Sequence, residues 1–174
     1  MSKFVAIAAS LFIFTIACLG FAPIASAQSL TSSLNSAIAK PMAIFSFSGT
    51  RPSNLGLTAD GKLLSCPASP NCVSSQNADA EHQIAPLTYT GDPDQAIASL
   101  KAVISKMPRA KIITAEGNYI YAEFTSALMG YVDDVEFYLN TEKGMIDVRS
   151  ASRLGESDLG VNRDRVETIR QMFT

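Results

Sequence analysis

The stretch Arg149 to Arg165, RSASRLGESDLGVNRDR, packs four arginines, two aspartates, three serines, two glycines and one asparagine into seventeen residues. Guanidinium forks suit carboxylates and phosphates. Glycines let backbone bend closely around a bound group, and the amides of a helix start attract anions. Two uses fit such a stretch: a polar network that fixes the domain, or a surface for an anionic ligand, a partner or a reaction. The candidate site residues are Asp133, Arg149, Ser150, Ser152, Arg153, Asp158, Asn162, Arg163 and Arg165. A serine nucleophile needs a base. The single histidine, His82, falls in a polar loop with no sequence relation to Ser150 or Ser152, and it reads as a solvated loop residue. No G-x-S-x-G, phosphate loop or metal-ligand spacing occurs, so nothing implies a cofactor or a metal.

These residues must be positioned by the elements around them. Asp92 suits an N-cap, Pro93 the first helical position, and Pro108 a stop. Between them Ala96, Ile97, Leu100, Val103, Ile104 and Met107 recur at helical spacing. Alternation then predicts strands over 111–115, 119–126, 131–140 and 145–151, with Gly117-Asn118 and Glu142-Lys143-Gly144 as turns. A short edge strand is expected within 84–90, where Pro86 excludes a central position. A last helix covers 161–173. The expected fold is α+β: an antiparallel meander of four to five strands, with an N-terminal and a C-terminal helix packed on one face.

Alternation also sharpens the site. In YVDDVEFYLN, Tyr131, Asp133, Val135, Phe137 and Leu139 share the core face, which makes Asp133 the odd member. A turn at Glu142-Lys143 sets Leu139 against Ile146, Phe137 against Val148, Val135 against Ser150 and Asp133 against Ser152. It also sets Glu136 against Arg149, and a one-residue slip would spoil every apolar pair. Asp133 then needs a partner, because a bare buried carboxylate costs several kcal/mol. Arg153 or an arginine of the last helix is within reach. Asp133 and Asp134 cannot act as a carboxylate pair, since neighbours on a strand point to opposite faces.

The N-terminus reads as export. Lys3 precedes the apolar run FVAIAASLFIFTIACLGFA, and Ala25-Ser26-Ala27 offers a small-x-small site, so residues 1–27 form a signal peptide. Uncleaved, the same run would anchor the chain in a membrane. Removing it takes Lys3 from the 14 basic side chains and none of the 16 acidic ones, leaving a net charge of −3. That excludes a general nucleic-acid binder. The remaining 147 residues suit one domain. Residues 28–61 form a lead-in that wraps the domain or stays mobile, and 62–174 form the domain. Cys66 and Cys72, six apart in CPASPNC, read as a disulfide in an exported chain. A redox role lacks the C-x-x-C spacing, and zinc lacks ligands beyond His82.

CPASPNCVSS, DDVEF and RSASRLGESDLGVNRDR resemble a family of unknown function, DUF1499, over roughly residues 64–173. The motif positions are Cys66, Asn71, Cys72, Ser74, Ser75, Asp133, Asp134, Arg149, Ser150, Ser152, Arg153, Gly155, Asp158, Gly160, Asn162, Arg163 and Arg165. The resemblance implies an exported cyanobacterial or plastid-type member, in a periplasm or thylakoid lumen, and assigns no catalytic residue. The reading is a non-enzymatic binding or assembly module whose Arg/Asp/Ser cluster holds an anionic small molecule or a partner protein. The alternatives are a hydrolase with Asp133 as general base, and a thiol-redox-responsive protein acting through Cys66 and Cys72.

Overall fold

In a computed structural model of the chain, the structure describes residues 46–173 apart from Asn77. The expected signal peptide lies outside the described residues, as does the lead-in up to residue 45. Strands β1 (Cys72–Ser74), β2 (Leu87–Thr88), β3 (Ala110–Glu116), β4 (Tyr119–Thr125), β5 (Val132–Asn140) and β6 (Met145–Ser152) accompany helices α1 (Pro93–Lys106) and α2 (Val161–Phe173). The fold is α+β, with an open antiparallel sheet of six strands in the order β1-β6-β5-β4-β3; β2 also pairs with β6. Six strands replace the expected four or five. The segment 84–90 contracts to two paired residues, and β1 had no signal of its own, because three residues are too few for alternation to show.

Local chemistry accounts for the well-defined elements. The Asp92 side chain accepts from the Gln95 N–H at 2.9 Å, and Pro93 opens α1 where its missing N–H costs nothing. The β3–β4 hairpin turns on Gly117-Asn118, with Gly117 at φ 52°. Between β5 and β6 the register pairs Leu139 with Ile146, Phe137 with Val148, Glu136 with Arg149 and Asp133 with Ser152. This is the pairing that apolar matching demands.

One face of the sheet carries the core. Phe137, Leu139, Ile120, Ile146 and Val148 are buried there with Leu100 and Ile104 of α1 and Val166 and Ile169 of α2. The second face is covered by the incoming chain, residues 46–64. The Gly56 N–H donates to Glu136 at 2.7 Å, and Arg51 Nε bonds Glu123 at 2.7 Å. Gly49, at φ 64°, passes so close that a Cβ there would meet Arg153 Cβ and Leu154 Cγ at 3.0 Å. Only glycine fits that crossing.

Cys66 and Cys72 form a disulfide with a Cα–Cα distance of 5.6 Å, closing the loop that leads into β1 at Cys72. Replacing both cysteines by serine is expected to lower the unfolding free energy by roughly 2 kcal/mol in urea titration, from loop-closure entropy alone. An unchanged midpoint would mean that the hydrogen bonds of Asn71 hold the loop without the bond.

Candidate functional site

β5 sends its two adjacent aspartates to opposite faces, and each meets a different arginine. On the core-facing side Asp133 is paired with Arg165 of α2, whose guanidinium also lies 5.0 Å from the centre of the Phe124 ring. Asn162, wholly buried, joins this pair to the sheet. Its Oδ1 accepts from Ser150 Oγ and from Arg165 Nη1. Its Nδ2 donates to the Asn71 carbonyl at 2.9 Å and to Ser152 Oγ at 3.1 Å. Both donors and both lone pairs of the amide are used, and the charged neighbour leaves only one orientation acceptable.

On the second face Arg153 grips Asp134 through Nε and Nη2, at 2.9 and 2.7 Å. Tyr121 Oη donates to the same carboxylate at 2.5 Å. Asp134 and the Glu123 carboxylate hold Arg153 in its charged form against its own burial. Burial alone would push Glu123 up, but Arg153 and Arg51 overcome it and keep that carboxyl below its ordinary range. Glu136, fully buried, faces Arg149 at 3.4 Å and accepts from Tyr119 Oη and the Gly56 N–H, each at 2.7 Å. Burial, then the neighbouring Glu136, pushes the Tyr119 hydroxyl up, so it stays a donor. Arg149 Nε is buried without a partner among the described residues.

His82 departs from its sequence reading: it is buried, 4% exposed, not solvated. Its Nδ1 lies 2.8 Å from the Asp79 carboxylate and its Nε2 lies 3.2 Å from the Ser69 carbonyl, inside the disulfide loop. Both ring nitrogens face acceptors, so the imidazolium alone satisfies both. Burial pulls its pKa down, yet the Asp79 and Ser69 hydrogen bonds outweigh that and raise it. The same loop reaches the arginine-rich stretch through Asn71, whose Nδ2 donates to the Gly155 carbonyl at 2.5 Å. Arg163 lies apart from the cluster and donates to the Gln83 and Glu81 carbonyls, each at 2.8 Å.

The start of α2 is occupied by the chain's own carboxylate. Asp158 accepts from the Asn162 N–H at 2.7 Å and the Gly160 N–H at 3.0 Å, which fills the position expected to attract an anion. Asp133, Ser152 and Asp158 border a hollow of about 200 Å³, completed by Ser126, Tyr131, Leu154, Gly155, Ser157 and Val161. Arg165 lines an adjoining recess of about 310 Å³ that shares Ser126, Asp133 and Val161. Arg149, Ser150, Arg153, Asn162 and Arg163 border neither. Among the described residues, the two non-glycine residues with left-handed backbone, Arg109 and Leu159, flank this region. Tyr131, expected on the core face, is instead 41% exposed, because β5 starts only at Val132. Leu154 and Val161 are apolar members that the sequence reading passed over, and Leu154, Leu159 and Val161, alone among the polar residues of their loop, were the available signal. Among the described residues no group of His, Cys, Asp and Glu is arranged to hold a metal ion.

A family model described as protein of unknown function (DUF1499) matches residues 62–173. No curated protein and no solved structure matches the chain.

Two outcomes are expected. Arg165→Ala leaves Asp133 buried without its cation and should cost roughly 3–5 kcal/mol in denaturant unfolding. Combining it with Asp133→Asn should recover part of the loss, whereas additive losses would mean that the two side chains do not act as a pair. For His82 the folded pKa is raised from 6.5. Its stabilisation is therefore full below about pH 6.5 and disappears as pH rises through the folded value. Thermal unfolding across pH 5 to 9 should show that decline, and His82→Gln should flatten it.

Proposed function

The chain belongs to the DUF1499 family, and from the geometry of one end of its sheet we propose that it is an exported, non-enzymatic docking module. The hollow beside Asp133 and the loop from Leu154 to Val161 form its contact surface. The observation that carries this reading is the pairing of charge. Arg149 is matched by Glu136, Arg153 by Asp134 and Glu123, and Arg165 by Asp133. Arg163 is engaged with backbone carbonyls, and Asp158 caps α2. Cations spent within the domain support a partner better than an anionic small molecule. Nor does this chemistry favour a hydrolase, because Arg165 engages Asp133, and Ser150 and Ser152 are engaged with Asn162.

Around the paired charges the surface turns apolar. Leu128, Tyr131, Leu154, Leu159 and Val161 are all exposed, with Leu159 at 92%. Leu159 also has φ 54°, a conformation that costs a leucine on the order of 1 kcal/mol. Exposed apolar groups gathered at one place, one of them on strained backbone, support a contact site. The N-terminal apolar run supports export.

A photoreactive residue placed at Leu159 of the full chain, in cells that produce the protein, is expected to yield adducts. The same residue at Glu142, exposed in the turn at the far end of β5, should not. Equal yields at the two positions, or none at Leu159, would remove the docking reading.

A further inference from the structure

The partner at this end can be named by its chemistry. We propose that the apolar end of the sheet rests on a lipid surface, with Leu159 and Leu128 entering its outer layer; this rests on reading that end as the docking surface. Leu159 is 92% exposed and Leu128 59% exposed, and each occupies a loop, not a groove. Projecting single side chains suit a fluid apolar layer, whereas a folded partner is held by complementary hollows and ridges. Behind them Tyr131 is 41% exposed and stacks against Phe47 with ring centres 5.7 Å apart. An aromatic ring with a polar tip belongs at the boundary between lipid and water.

The path of the chain argues for the same occupant. The described chain begins at this end: the Phe47 N–H donates to the Met129 carbonyl at 3.1 Å, beside Leu128 and Tyr131. The sequence before it contains the apolar run FVAIAASLFIFTIACLGFA, which anchors the chain in a membrane where it is left uncleaved. Phe47 thus lies at the end that carries the exposed apolar side chains. No helix among the described residues is long and apolar enough to cross a membrane.

Charge selects the kind of surface. Around the two recesses Arg109 and Arg165 stand against Asp133, Asp158 and Asp164. Acidic groups in excess are repelled by anionic headgroups. The contact therefore suits zwitterionic or uncharged lipid, and it should not strengthen as salt is lowered.

The chain contains no tryptophan, so one introduced residue reports alone. Full-length Leu159→Trp and Leu128→Trp proteins, bound to phosphatidylcholine vesicles, are expected to shift their emission to the blue and to be quenched by brominated lipid. Met172→Trp, eleven residues beyond Val161 on α2 and about 16 Å along its axis, should show neither change. Unshifted and unquenched emission at both leucine positions overturns the lipid surface. If photoadducts at Leu159 then contain protein, the docking reading survives with a protein partner; if there are none, it fails too.

Discussion

Two carboxylates side by side on one strand set the terms for the rest of the molecule. Asp133 and Asp134 leave β5 on opposite faces because strand side chains alternate, and both are buried. Neither can be left bare in a low-dielectric interior. The core face answers with Arg165 from α2, and the second face with Arg153 from the end of β6. The first pairing fixes where α2 starts. The second requires a cover over a sheet face that would otherwise be wet, and residues 46–64 supply it.

The polar residues gathered on the core face form a closed network in which nearly every donor has an acceptor. Asn162 is its centre, linking α2, β6 and the loop of the disulfide through one side chain. Such a network specifies a single arrangement more than it adds stability. It also makes the surrounding end of the sheet rigid, so that Leu159 can be held on strained backbone and still project. Rigidity of the charged interior and exposure of the apolar rim are two consequences of one layout.

Much of the scaffold was legible in the chain. Apolar matching between YVDDVEFYLN and MIDVRSAS admitted one register, and the observed pairs from Leu139–Ile146 to Asp133–Ser152 follow it. Asp92, Pro93 and Pro108 bracket α1, and the spacing of Cys66 and Cys72 marks their bond. His82 was misread because its loop looks polar, while its burial comes from Asp79 and Ser69 closing on both ring nitrogens. The burial of Glu136 was equally hidden, since one of its partners, Gly56, lies 80 residues away.

Strand alternation, helix caps and short turns act between neighbours. The order of residues along the chain was therefore enough to determine α1, α2 and the four long strands β3 to β6, the β5–β6 register and the sidedness of Asp133 and Asp134, but not β1. Pairing between distant groups is a different matter. Four arginines and several carboxylates permit many matches of similar local merit. The β5–β6 register had already set Arg149 against Glu136, but only the packing of α2 on one face, and of residues 46–64 on the other, assigned Arg165 to Asp133 and Arg153 to Asp134. The same packing left Leu128, Leu159 and Val161 exposed, because the charges beneath them were already matched.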